Sequence, residues 1–408
     1  MVNKKLLPLL LTIVMVISLA ACSDSRDSVQ TEASANLAQS ESPRKTDVAA
    51  EVSVAEENLS FDITDLAGNT VHFEKPIEKA YINVPGGAFF TMCGLFGKGV
   101  SDHIACWDNG LKNWPDFYKQ FNAKMPSLAF IPIVGDVYAD KLNVEAVIAS
   151  GAEAAIFPLM NYNFKGVFDK LVPQLEAAGI QVICTDFHSE TLESTKKSIE
   201  IIGQLFGEKA RAKEISDFFE SQVSDIFSCV DVLLQQGAER PMIYIEYGGK
   251  GPDEYGPSYS NNVTWGSISH MVGGTSLYAD SDTNYPKVNP EFLLKSDPDI
   301  IVIVGGNWGT PESMVMGFDA TEESIAKTLE AYCARPGWNA LTAVKERKVH
   351  VICNTLSRNI FSFSCYQHLA KAVWPDKFGD IDANATLKEY FEHFIPIELS
   401  GVWFYDMQ

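Results

Sequence analysis

Residues 143–157, "NVEAVIASGAEAAIF", and residues 289–303, "NPEFLLKSDPDIIVI", align without a gap. Each opens on asparagine, carries a glutamate two positions later, and runs through a helix-like apolar stretch to a serine. Each then breaks at a small or acidic residue and ends as a strand-like run. Asn143 and Asn289 suit a helix N-cap, where a short side-chain oxygen accepts from the free N–H groups of the first turn. Glu145 and Glu291 then fall in that turn, where the helix dipole favours a negative charge by about 0.3–1 kcal/mol. Dipole stabilisation is a sufficient reason for either glutamate. It gives no reason for the match to continue through Glu153 and Asp299 into the following strands. A repeated helix–strand unit predicts two similar lobes.

Outward from these stretches, strand and helix signals alternate. "FDITDLAGNTVHF" (61–73) predicts a hairpin, and "KAYINV" (79–84), "HIACW" (103–107), "AAIF" (154–157) and "IQVICTD" (180–186) predict buried strands. "AFFTMCGLFG" and "FKGVFDKLVPQLEAAG" predict helices, the second despite Pro173. After residue 236 the alternation resumes, with strands at "PMIYIEY", "DIIVIVGG" and "KVHVICN" among further helices. Such alternation implies α/β architecture with mainly parallel sheets. Between them, residues 189–236 repeat apolar positions at helical spacing with no proline, weakened locally at Gly203 and Gly207. The expectation is one long rigid helix of about 70 Å joining the lobes, with small hinge motions. The expected organisation is a lobe over 59–188, the joining helix over 189–236 and a lobe over 237–408.

The chain has 408 residues, a length that suits two domains. Its 53 acidic and 32 basic residues give a net charge of −21, which repels phosphate backbones and argues against nucleic-acid binding. The first 21 residues have a basic start (Lys4, Lys5) and an apolar core of about 15 residues, short for a membrane span and right for an export signal. "LAAC" (19–22) resembles a bacterial lipobox, which implies cleavage before Cys22, its lipidation, and anchoring on the outer face of the cell membrane. Residues 22–58, rich in Ser, Ala, Asp and Glu and free of aromatic residues, are expected to be a disordered tether. The seven remaining cysteines are scattered and form no disulfide framework. A Cys93–Cys106 bridge is one pairing open to them, and buried free thiols are the expectation.

"ITDLAGNTVHFEKPIEKAYI", the two repeated stretches, "LEAAGIQVICTD" and "IGQLFGEKARAKEI" together resemble the substrate-binding proteins of ATP-binding-cassette importers for metal chelates. This is the iron–siderophore, haem and cobalamin class of periplasmic binding proteins, and the resemblance runs from about Phe61 to Asp406. It implies two Rossmann-like lobes joined by one rigid helix, a ligand cleft between them, and no catalysis. It also implies that Glu145 and Glu291, one per lobe, dock onto arginines of a two-fold permease served by separate ATPase subunits. The protein itself is expected to be a monomer without a cofactor.

Open α/β sheets bind ligands beyond the carboxyl ends of their strands. The loops there carry Trp107, Tyr138, Tyr162, Tyr247, Tyr255, Tyr259, Trp265, Tyr285 and Trp308, flat apolar faces with polar edges, and Arg358. The resemblance supports Tyr138 and Tyr285 in particular, and packing beneath a loop is the alternative for any single ring. Lys250 and Arg358 stand nearly alone as cations, which disfavours a strongly anionic catecholate and favours a hydroxamate siderophore or a corrinoid. His188 and His270 are expected to be core or surface residues rather than axial ligands.

"HVIC" (350–353) and "CYQH" (365–368) together suggest zinc, but residues three apart on a strand face opposite sides, so no metal site is expected there. No phosphate loop, dinucleotide fingerprint or nucleophile elbow occurs. Two further readings of the same fold are a sensory lipoprotein and an enzyme acting on the chelate.

Overall fold

The structure, a computed structural model, describes residues 59–408 apart from 84–85, 136, 138–140 and 163–164. The export signal, Cys22 and tether expected over 1–58 lie outside the described residues, as does Tyr138. The described residues, from Leu59 to Gln408, form one compact unit. A short hairpin, β1 (Phe61–Thr64) and β2 (Thr70–Phe73), precedes two larger sheets.

The first sheet holds β3 (Ala80–Ile82), β4 (Ile104–Trp107), β5 (Ala154–Pro158) and β6 (Gln181–Thr185), all parallel, in the order β4-β3-β5-β6. The second holds β7 (Met242–Tyr247), β8 (Thr275–Ser276), β9 (Ile300–Gly305) and β10 (Val349–Cys353), parallel in the order β8-β7-β9-β10. An antiparallel edge strand, β11 (Phe404–Asp406), extends it beyond β10. Apart from β11, the second order repeats the first strand for strand.

The repeated stretches occupy equivalent places in this scheme. Asn143 Oδ1 accepts from the Ala146 N–H at 3.0 Å, and Asn289 Oδ1 from the Phe292 N–H at 3.1 Å, capping helices Val144–Ala149 and Pro290–Ser296. The matched acids explain the rest of the alignment. Glu153 Oε2, just before β5, accepts from the N–H groups of Glu78 and Lys79 at 2.6 and 3.1 Å, where the chain enters β3. Asp299 Oδ2, just before β9, accepts from the N–H of Met242, the first residue of β7, at 2.7 Å. In both lobes an acid ahead of one strand satisfies the entry of its neighbour.

The single helix expected over 189–236 is not what forms. Helix Leu192–Leu205 turns back at Phe206–Glu208 into helix Lys209–Gln235. Gly207 adopts φ +78°, which glycine reaches without steric cost, and a Cβ on Gly203 would stand 2.1 Å from that of Ala212. Lys196 Nζ donates to Glu220 across the pair at 2.5 Å. Only the second helix bridges the sheets, and its 27 residues span about 40 Å. Arg211 on it donates through Nε to the Gly94 carbonyl of the first lobe (3.0 Å) and through Nη2 to the His393 carbonyl of the second (2.9 Å). Aromatic packing joins the lobes as well: the Phe90 and Phe361 rings lie 4.8 Å apart, and those of Phe117 and Phe318 5.0 Å. All seven described cysteines are free thiols, Cys93 and Cys106 included.

Candidate functional site

Adjacent strands β7 and β9 belong to connections that leave in opposite directions across the second sheet, which opens a crevice beyond their carboxyl ends. Tyr247 closes β7, and Trp308 follows the end of β9; their rings meet at 4.6 Å, tilted by 49°. Beside them a cavity of about 220 Å³ is lined by Tyr247, Tyr259, Tyr285, Asn354 and Arg358. Tyr285 is 52% exposed at the mouth, while Tyr259 is buried and meets it edge to face at 5.7 Å. Burial pushes the Tyr259 phenol up, so the hydroxyl stays protonated and able to donate.

Among the described residues, Arg358 is the one charged residue lining this cavity. It holds φ +61°, a conformation that costs a non-glycine residue roughly 1–3 kcal/mol. The Glu190 carboxylate, from the chain leaving the first sheet, accepts from the Arg358 N–H, and the Glu190 carbonyl accepts from the Tyr366 hydroxyl. Glu190 is fully buried, and burial lifts its carboxyl to about 8. Burial also pulls the His188 imidazole down to about 4, with the Arg358 guanidinium adding to the effect against Asp186. The first lobe therefore places a neutral imidazole near the Arg358 charge.

Other expected contact residues are placed differently. Trp265 has no exposed surface; its Nε1 donates to Asn354 Oδ1 at 3.0 Å, so it orients a lining residue from beneath. The Tyr255 hydroxyl accepts from Trp338 Nε1 at 2.9 Å, and its ring lies 4.2 Å from the Arg335 guanidinium carbon. Trp107 is buried with its ring 5.9 Å from that of Phe89. Tyr162 ends a short helix, Leu159–Tyr162. Glu145 and Glu291 are exposed in the first turns of their helices, and among the described residues neither has an ion-pair partner.

The loop after β7 is fixed by a buried pair that sequence reasoning missed. Arg335 Nη1 and Nη2 donate to the two Glu246 carboxylate oxygens at 2.7 and 3.0 Å. The same guanidinium donates to the carbonyls of Pro252, Gly251 and Glu254. Glu246 also accepts from the Tyr244 hydroxyl (2.6 Å) and the Gly256 N–H (3.0 Å). Partners 89 residues apart leave no local spacing signal. A larger groove of about 980 Å³ runs along Thr64, Asp65, Asp186 and the helix hairpin. Among the described residues its lining holds no aromatic side chain, so it lacks the flat apolar walls of the smaller cavity.

A family model described as periplasmic binding protein matches residues 166–355. The chain is similar to the TroA-like periplasmic binding protein FepB from Veillonella parvula, with 38% identity and a TM-score of 0.81 over 85% of this chain and 99% of that one. It is also similar to the uncharacterized ABC transporter substrate-binding lipoprotein YvrC of Bacillus subtilis (strain 168), 24% identical over 249 residues, 60% of this chain and 69% of that protein. The molybdate-binding protein MolA of Haemophilus influenzae shares the fold, at 15% identity and a TM-score of 0.58 over 84% of this chain and 99% of that one. With two mainly parallel sheets of matching strand order and relatives that are binding proteins rather than enzymes, the chain belongs to the TroA-like periplasmic binding proteins, the class III substrate-binding components of ABC importers.

Proposed function

We propose that the protein captures a metal chelate of low net charge, of the iron–siderophore or corrinoid kind, and delivers it to a membrane permease. The observation that carries this reading is the cavity walled by Tyr247, Tyr259 and Tyr285, with Arg358 as the single cation among its described lining residues. Aromatic walls suit a flat or greasy ligand with polar edges, and one guanidinium balances about one negative charge. Its 220 Å³ is below the range of about 300–1,000 Å³ common for small-molecule pockets, so it suits one arm or edge of a larger chelate. The exposed Tyr285 and the Tyr247–Trp308 pair add aromatic surface beside the cavity. The interlobe aromatic packing favours a small closure over a wide one.

In this reading Cys22 carries the lipid anchor, and Glu145 and Glu291 meet permease arginines. Their exposure, their matched positions and their lack of described ion-pair partners support it. Titration of the full chain in detergent, followed by tryptophan fluorescence with inner-filter control, tests the ligand class. The panel holds hydroxamate and catecholate ferric siderophores, corrinoids, haem and molybdate. Saturable one-to-one binding of a hydroxamate or corrinoid near or below about 1 μM, roughly −8 kcal/mol, is expected, with at least tenfold loss in Arg358→Met. Preference for a catecholate or for molybdate would overturn the low-charge assignment. Uptake in cells carrying Glu145→Ala with Glu291→Ala should fall while ligand affinity stays constant; normal uptake refutes the docking role.

A further inference from the structure

We propose that His350, His368 and Asp406 form a binding site for a divalent transition metal of the zinc class, separate from the cargo cleft. The three residues come from three elements of the second lobe: β10, helix Ser362–Val373 and β11. His350 and Asp406 are direct partners in the antiparallel register. His350 lies at the amino end of β10, whereas the cleft residue Asn354 follows its carboxyl end. The site therefore faces away from the strand ends that carry the cargo cavity.

Their ligand atoms all lie within 4.8 Å of one another. His350 Nδ1 is 2.6 Å and His368 Nε2 is 3.2 Å from Asp406 Oδ1. Zinc bonds of about 2.0–2.2 Å in a tetrahedron place donors about 3.4 Å apart, so the donor separations must change by up to about 1.4 Å to close on an ion. A hydrogen-bonded triad alone accounts for His350 and leaves His368 unexplained. His368 is 7% exposed, and its Nε2 has no aligned hydrogen-bond partner despite the nearby carboxylate. Buried polar atoms of this kind are rare unless something else completes them. The His368 ring is fixed by stacking on Phe404, 4.7 Å between centroids and 23° from parallel, so Nε2 stays aimed at Asp406.

The surrounding charges are mixed. A cavity of about 80 Å³ opens on His368 and Asp406, room for a water as fourth ligand. Lys371 and Asp382 both line it; Lys371 Nζ donates to the Ile381 carbonyl at 3.1 Å, and Asp382 offsets its charge. Two imidazoles, one carboxylate and a water make a tetrahedral donor set of the zinc type. Strand geometry argues against a site shared by His350 and Cys353. It does not exclude His350 joining a histidine from another element, and Cys353 and Cys365 remain buried free thiols.

The test uses the full chain in detergent, stripped with a chelator, then titrated with Zn²⁺ and separately with Co²⁺ as a spectroscopic probe. One equivalent of Zn²⁺ by elemental analysis is expected, with tetrahedral cobalt ligand-field bands. Binding should weaken by at least ~10-fold in His368→Gln and in Asp406→Asn, and remain unchanged in Arg358→Met. Circular dichroism verifies the fold of each variant, and the more exposed Asp406→Asn decides the matter if His368→Gln does not fold. Retention of no metal, or equal affinity in wild type and Asp406→Asn, would overturn the proposal. Loss of zinc in Arg358→Met but not in Asp406→Asn would place the ion in the cargo cleft and overturn it equally.

Discussion

Replacing Arg335 by methionine tests whether the buried pair behind Tyr247 holds the site in shape. The guanidinium makes five hydrogen bonds: two to Glu246 and one each to the carbonyls of Pro252 (2.7 Å), Gly251 (3.1 Å) and Glu254 (3.1 Å). It lies between the rings of Tyr255 and Tyr332, 4.2 and 4.3 Å from their centres. Methionine keeps much of that apolar contact and removes every donor. Glu246, with no exposed surface, would retain only the Tyr244 hydroxyl and the Gly256 N–H. Breaking a buried pair from one side costs about 3–5 kcal/mol, because the remaining charge is stranded. The three carbonyls lose partners too, but their loop can relax towards water, so about 4 kcal/mol is the expected total. Urea unfolding of wild type, Arg335→Met, Glu246→Gln and the double variant gives the cycle. The double variant should cost less than the two singles together by about 2 kcal/mol or more, since it strands no charge. Chelate affinity should fall with Arg335→Met, because the pinned loop begins at the cavity residue Tyr247. A cost under about 1 kcal/mol for Arg335→Met, or strict additivity in the cycle, would refute the reasoning.

Two further outcomes follow from buried geometry. The folded state holds a proton on Glu190 between its ordinary 4.5 and about 8 that the unfolded chain releases, so this carboxyl subtracts stability progressively as pH rises across that window. Glu190→Gln should therefore gain on wild type by up to about 4 kcal/mol in urea unfolding between pH 5 and pH 8.5; an equal difference at both pH values would contradict the raised carboxyl. Gly203→Ala should destabilise by about 1–3 kcal/mol, because its Cβ meets Ala212 at 2.1 Å. In one continuous helix the same change would stabilise by up to about 1 kcal/mol, so the sign of the shift in an unfolding curve separates the hairpin from the single rod.

The parts legible in the sequence are those fixed by local chemistry. Asn143 and Asn289 announce helix starts because a cap is made within three residues, and the apolar runs after Glu153 and Asp299 are strands because both sheet faces are covered. The match of the two acids is visible in the letters, but their purpose depends on the N–H groups of residues 78–79 and 242, which only the folded sheet brings near. Residues 189–236 show the converse failure. The apolar periodicity is the same on either side of Gly207, and whether the chain goes straight on or folds back is decided by Gly203 against Ala212, a contact between turns that periodicity does not encode. The strand-end rule likewise finds the loops of Tyr247, Tyr259, Tyr285 and Arg358 but not the direction of each ring, so Trp265 and Tyr255 share the loops and turn inward.

Two lobes built on one repeat should carry equivalent features at equivalent strands, and in the capping acids and sheet order they do. Among the described residues, edge strand β11 has no counterpart in the first sheet. It supplies Asp406, the residue that converts two histidines on neighbouring elements into a three-ligand cluster. A pattern search over His350–Cys353 and Cys365–His368 could not include it, because the third ligand belongs to a strand outside the repeat. An ion there would tie the C-terminal strand to β10 and to helix Ser362–Val373, at the edge that the repeat itself leaves unpaired.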